Sequence, residues 1–208
     1  MGVQERKARE KLELRQQILD AARELFVREG YENVSMRKIA EKIEYSPATI
    51  YTYFQDKDEI LDCLCAETFL HLHQHKLAAI HEMNGDTLEA LKKGMETYIR
   101  FGLDHPDQYM VTFMLKAAPF EGPGSQETRK AKMGQQCFND MRSLVRRCME
   151  EGRIKSADPE ATSQALWAGI HGLTAVLITQ PGFPFVDREK LIERTIEILV
   201  RGVSVDRK

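Results

Sequence analysis

Apolar side chains in this chain recur at intervals of three and four residues, and its prolines fall between the periodic stretches. That spacing gathers apolar residues on one side of a helix, whereas a half-buried strand needs alternation at every second residue. No β-branched run with period two occurs, so the fold class is all-α. Leu14, Ile18, Ala21, Ala22, Leu25 and Phe26 form the stripe of a first helix over 9–29, which Gly30 ends. Ser35 opens a short helix with Met36, Ile39, Ala40 and Ile43 inward. Ser46 and Pro47, a cap and a first-turn proline, start another over about 46–54. Asp56 begins a long helix reaching 82. Further helices follow over 87–104, 107–118, 126–152, 158–180 and 187–202, about nine in total. The clearest loop is PFEGPG at 119–124, and PGFPF at 181–185 separates the last two helices.

Hydrophobic residues make up 42% and charged residues 30% of the 208, an ordinary globular balance. The net charge of −2 gives no bulk attraction to nucleic acid, so any anion-binding surface must come from local placement. The longest strongly apolar run, LWAGIHGLTAVLI at 166–178, contains a histidine and is shorter than a membrane span. The N-terminus is charged, with no apolar signal core. A cytoplasmic protein without a membrane partner is the expectation. Cys63, Cys65, Cys137 and Cys148 form no CxxC pair and are expected as free thiols. Cys137 and Cys148 share a helix face, but about three turns separate them, too far to bridge within one helix.

Two short helices joined by a tight turn, after a longer one, describe a helix-turn-helix, whose second short helix lies in the DNA major groove. Ile50 and Phe54 point inward, toward Ile39, Ile43 and Phe26. Ala48 and Thr52 face outward, flanked by Thr49, Tyr51 and Tyr53, and no carboxylate follows until Asp56. Small residues let a helix approach base edges, threonine meets bases or thymine methyls, and tyrosine hydroxyls suit phosphate oxygens. Lys57, in the first turn of the next helix, is placed to hold a phosphate together with backbone N–H groups. The plainer reading is packing for Tyr51 and Tyr53 and solvation for the threonines.

The stretch contains Phe26-x-x-x-Gly30-Tyr31, then Val34-Ser35-Met36-x-x-Ile39-Ala40, then Ser46-x-x-x-Ile50-Tyr51-x-Tyr53-Phe54-x-x-Lys57. In residue type and interval this resembles the TetR family of tetracycline-repressor-like regulators. The resemblance implies a DNA-binding domain over 1–57 and a helical effector-binding and dimerisation domain over 58–208. It also implies transcriptional regulation, usually repression, by a homodimer on a palindromic double-stranded DNA operator. Carried over by position, the DNA contacts are Arg37, Ser46, Pro47, Ala48, Thr49, Tyr51, Tyr53 and Lys57. One departure is Glu44, where the family usually has glycine in the turn. A left-handed backbone there costs a non-glycine residue about 1–2 kcal/mol. The basic stretch Arg6, Lys7, Arg9 and Lys11 reads either as an arm along DNA or as a solvated helix start.

The last two helices are rich in apolar residues, and 158–180 is apolar around most of its circumference, which calls for burial on nearly all sides. A second subunit supplies that burial through Leu166, Ile170, Leu173, Thr174, Leu177, Leu191, Thr195, Ile198 and Leu199. Trp167-x-x-x-His171-Gly172 resembles the Trp-His-Gly signature of one TetR subgroup. His171 fits either a ligand contact or a hydrogen-bonded core or interface histidine. An effector pocket draws on Tyr98, Phe101, Tyr109, Met110, Phe113, Met114, Met133, Cys137 and Met141, with Trp167 and His171. All of these also suit a plain core, and the methionines suit an adaptable cavity. No partner charge for a charged ligand can be placed from the sequence, so a neutral or hydrophobic small-molecule effector is expected.

His71 and His75 share a helix face beside His73 and His81, a spacing that can hold a metal, but no third ligand is evident. A redox- or metal-sensing regulator using Cys or His is the alternative. No GxSxG, HExxH or GxxxxGK[ST] occurs, so no enzyme, cofactor or metal is expected.

Overall fold

The computed structural model describes residues 2–81, 85–115 and 128–205. The expected loop at 119–124 lies outside the described residues. Within them are nine α-helices and no strand. These are α1 (Val3–Glu29), α2 (Met36–Lys42), α3 (Pro47–Tyr51), α4 (Lys57–His81), α5 (Thr87–Asp104), α6 (Pro106–Tyr109), α7 (Arg129–Glu150), α8 (Pro159–Thr179) and α9 (Arg188–Val203). The described part of the expected helix over 107–118 is instead α6 followed by a π-turn, Met110–Met114, in which the Leu115 N–H donates to Met110 O at 2.9 Å, and 116–118 lie outside the described residues. α1 begins earlier than its apolar stripe. Its exposed first turns are held by the Gly2 N–H on the Glu5 carboxylate and by Arg6–Glu10 and Arg9–Glu13 pairs, both at 3.5 Å. The basic stretch is helical and exposed in this structure.

The chain divides into two compact units, residues 1–68 with 107–132, and residues 69–106 with 133–208. The first has a core of Ile18, Leu19, Ala22 and Phe26 from α1, Ile39 and Ala40 from α2, Ile50 and Phe54 around α3, and Ile60 and Leu64 from α4. α1 ends where Gly30 adopts φ +80 and returns its N–H to Phe26 O at 3.0 Å, a backbone that side chains rarely adopt.

The second unit packs α5 against α8 and α9, and α8 against α9. Each of these helices starts on an aspartate that accepts backbone N–H groups: Asp86 from Leu88 and Glu89, Asp158 from Glu160, and Asp187 from Lys190. Leu91, Met95 and Ile99 of α5 are fully buried with Ile170, Ile192 and Val200. Gly169 brings α8 close to α9, because a Cβ there would lie 2.7 Å from Leu199 Cδ2.

Three of the expected interface residues are corrected by this packing. Leu166, Ile170 and Thr174 recur every fourth residue along the inner face of α8 and are buried within the chain's own core. Ile198 is exposed, and Leu173, Leu177, Leu191, Thr195 and Leu199 are half-buried. The outer side of α8, with Ala168, Gly172 and Val176, stays exposed as well.

Candidate nucleic-acid interface

The path from α1 to α4 is pinned before it reaches α3. The Tyr31 ring lies 5.2 Å from that of Phe26, and its hydroxyl donates to Asp58. Burial and the Asp58 carboxylate push the Tyr31 phenol well above its ordinary range. Lys57 donates to Tyr31 O at 2.9 Å and Val34 O at 3.2 Å, with its ammonium 4.2 Å from the centre of the Tyr31 ring. The Lys57 side chain, expected at a phosphate, is thus half-buried and occupied inside the chain, where it ties the α1–α2 connection to α4.

α2 begins at Ser35, whose Oγ accepts from the Lys38 N–H at 3.3 Å, and it buries Met36, Ile39 and Ala40. Its other cations are partly committed. Lys38 donates to the Glu29 carboxylate and Asn33 O, and Lys42 to Glu24, each within 2.9 Å. These bonds hold the Glu29 and Glu24 carboxyls below their usual range. Arg37 stands out into solvent with Glu41 2.9 Å away, a contact of the kind that solvent screens heavily.

The turn then passes through Glu44 at φ +62, among the described residues the only non-glycine with positive φ. The Glu44 N–H reaches Glu41 O at 3.2 Å and the Tyr45 N–H reaches Ala40 O at 3.0 Å. This is the left-handed helix ending in which glycine is normal. The strain expected of a glutamate there is present, about 1–2 kcal/mol.

Ser46 caps α3, its Oγ accepting from the Thr49 N–H at 3.2 Å and lying 2.9 Å from Thr49 Oγ1. Pro47 occupies the first turn. α3 proper is five residues long, shorter than expected. Bonds from the Tyr53 and Phe54 N–H groups to Ile50 O, at 2.9 and 3.1 Å, carry the coil to Phe54. So short a helix has no stability of its own. Ile50 at 0% and Phe54 at 2% exposure hold it, and the Arg15 guanidinium covers the Phe54 ring at 5.2 Å.

What remains outward is Tyr45, Ser46, Pro47, Ala48, Tyr51 and Thr52, with Tyr51 57% exposed. Tyr53 is half-buried and packs on the core, and Thr49 is half-buried, so the two tyrosines part company. The exposed face is small and hydroxylated, the kind of surface that can approach base edges and phosphates closely.

The expected effector-lining residues divide between the units. In the first, Met110 and Phe113 are half-buried, Met114 is exposed, and the Phe113 ring lies 5.0 Å from that of buried Tyr109. In the second, Tyr98, Phe101, Cys137 and Met141 are buried and Met133 is half-buried. His171 joins two candidates there, since its Nδ1 lies 3.0 Å from the Tyr98 hydroxyl and its ring stacks on Trp167 at 5.0 Å. Burial lowers the His171 pKa, favouring a neutral ring beside the Tyr98 hydroxyl.

Burial also raises all four thiols, Cys137 to about 11, which disfavours the reactive thiolate. Among the described residues, no group of three or more His, Cys, Asp or Glu could hold a metal. His73 pairs with Asp140 at 2.6 Å, and the His75 ring lies 5.8 Å from Phe101. One interior residue escaped the sequence reading. Lys76 is buried on α4, a position that its spacing of four from buried Leu72 would have marked. No helix among the described residues is long and apolar enough to cross a membrane.

Comparison with known proteins agrees with this geometry at both ends. The pattern described as "Bacterial regulatory proteins, tetR family" matches residues 18–64, the span from α1 to the start of α4. The "Tetracyclin repressor-like, C-terminal domain" matches residues 91–199, more than half of the chain. The uncharacterised HTH-type transcriptional regulator YvkB of Bacillus subtilis (strain 168) is 24% identical over 196 residues, covering 91% of this chain and 96% of that protein. The tetracycline repressor protein class D of Escherichia coli is 32% identical over 68 residues, covering 33% of this chain and 31% of that protein. The crystal structure of the TetR family transcriptional regulator PfmR from Thermus thermophilus shares the fold. Its TM-score is 0.69 at 21% identity, over 91% of this chain and 99% of that one. With the helix-turn-helix and the C-terminal helices each matched in place, the chain belongs to the tetR family of bacterial regulatory proteins.

Proposed function

We propose that this regulator is a cytoplasmic, homodimeric, ligand-responsive repressor. It binds a palindromic operator and leaves it when a small, mostly apolar effector binds the helical region over 58–208. The observation that carries the reading is the outward face of α3, where Ser46, Pro47, Ala48 and Tyr51 stand clear of a core anchored by Ile50 and Phe54. Tyr51 and Ser46 hydroxyls serve phosphates, Ala48 and Thr49 lie closest to bases, and Arg37 contributes from α2. Tyr53 and Lys57 support these contacts from behind, through the core and the Tyr31 carbonyl.

Dimerisation uses the part of α8 and α9 that one chain leaves uncovered, including Leu173, Leu177, Leu191, Thr195, Ile198 and Leu199. A dimer presents two α3 helices to successive major grooves. The effector acts only if it binds the DNA-incompetent arrangement more tightly than the competent one. Trp167, His171 and Tyr98, linked by stacking and a hydrogen bond, supply polar and aromatic contacts for it.

The test is an electrophoretic titration of the purified chain against DNA flanking its own coding sequence, with sedimentation to count protomers. Retention of one flanking fragment by a dimer, resistant to competitor DNA, is the expected result. Equal retention of unrelated DNA, or binding by a monomer, would overturn the reading.

A further inference from the structure

Among the described residues, Lys76 is the only charged side chain that is buried, at 7% exposure. It sits on α4 one turn after Leu72, and its Nζ donates to Cys137 O on α7 at 3.0 Å. Among the described residues no carboxylate lies within salt-bridge distance of it, so one carbonyl serves a group with three N–H donors. Cys137 and Asp140 are the acidic groups that act on Lys76, and Asp140 is already engaged by His73 at 2.6 Å and by the Gln136 amide at 3.1 Å. Burial pulls the Lys76 pKa down and outweighs the opposing influence of Cys137 and Asp140. The neighbouring Cys137 thiol donates to Phe69 O at 3.2 Å, so it offers Lys76 no anion.

A lysine held in this way is an incomplete ion pair. Burying a cation with one neutral acceptor is unfavourable, whereas methionine of similar length would fill the space without charge. Buried apolar residues lie close in sequence to both partners, with Leu72 one turn before Lys76 on α4 and Met141 one turn beyond Cys137 on α7. We propose that Lys76 receives the carboxylate of an apolar organic acid, and that this class of molecule is the effector. The inference rests on the effector-responsive reading given above and revises the neutral ligand expected from sequence. An anionic head group completes the hydrogen bonding of the ammonium, and the apolar body gains by leaving water.

The experiment measures binding to the full chain by calorimetry, without DNA. Octanoate, decanoate, phenylacetate and cholate are each compared with the matching primary amide. At least one acid should bind about tenfold or more tightly than its amide, as charge-assisted hydrogen bonds exceed neutral ones. In Lys76→Met that preference should fall to about twofold or less, with helicity retained and a melting temperature equal to or above that of the parent. Lys76→Gln provides a second variant that keeps a hydrogen-bond donor.

The proposal is overturned if no acid binds, if acid and amide bind alike, or if the preference survives in Lys76→Met. It also falls if neither variant folds, since Lys76 is then a structural group. A parallel mobility-shift assay separates this result from the regulatory reading. Lys76-dependent acid binding with no effect on DNA retention would keep the site and remove its role as the effector site. Absence of any DNA binding would remove the regulatory reading, and with it the effector role, while the acid site itself would stand or fall on the calorimetry.

Discussion

The helix-turn-helix and the second unit place their polar side chains on opposite sides of their surfaces. From α1 to α3 the interior is Ile18, Phe26, Ile39, Ile50 and Phe54, while the Ser46 and Tyr51 hydroxyls face water. In the second unit the Tyr98–His171 hydrogen bond is part-buried, and Lys76 and Thr174 lie inside. A reader of DNA must show its contacts, so it needs an apolar scaffold rigid enough to hold a five-residue helix. The uptake of a small molecule proposed for the second unit calls for polar groups turned inward, where each is worth more and costs more if left alone.

The largest effect that could break this contrast comes from the scaffold. Phe54→Ala should lower the unfolding free energy by about 3–5 kcal/mol and abolish DNA binding with it, as read by denaturant melts and mobility shift. Lost binding at unchanged stability would mean that Phe54 does not anchor α3. Next is Lys57→Met, which removes a charged donor from two carbonyls and should cost about 1.5–3 kcal/mol. The slope of log affinity against log salt should stay as in the parent; a drop of about one would restore Lys57 to a phosphate.

Glu44→Gly should work in the other direction. Relief of the left-handed glutamate, less the added freedom of the unfolded chain, leaves a gain of about 0.5–1 kcal/mol, visible as a higher denaturation midpoint. A loss would show that the Glu44 side chain supports the turn. The smallest effect concerns the second unit. Burial lowers the His171 pKa below its ordinary 6.5, so the unfolded chain takes up that proton first. The stability it contributes is present above pH 6.5 and is lost as the pH falls through the folded value. His171→Gln should flatten that part of the stability profile, and an unaltered profile would show that His171 is not buried neutral.

Much of the architecture was legible before any coordinates, for reasons that differ by element. α5, α8 and α9 start where Asp86, Asp158 and Asp187 announce them, because an N-cap is a local device that needs no tertiary context. The spacing of Ile50 and Phe54 likewise separated the buried side of α3 from exposed Ser46, Pro47, Ala48 and Tyr51. Tyr53 and Lys57 were harder, since an amphipathic side chain can turn either end inward and only Tyr31 and Val34 decide which. Apolar periodicity also could not separate an α-turn from the π-turn at Met110–Met114. Nor could it say whether Leu166, Ile170 and Thr174 meet their own core or a partner, since both demand the same stripe. Lys76 went unseen because a helical lysine is ordinarily taken to face solvent.

The central claim is that α3 reads DNA with a side chain the fold itself does not need. It is tested most directly by titrating Tyr51→Ala and the parent chain against the same flanking DNA at physiological salt, with thermal melts in parallel. Loss of a hydroxyl that bonds a charged phosphate should weaken binding about 10- to 100-fold while leaving the melting temperature in place. Unchanged affinity would contradict the account.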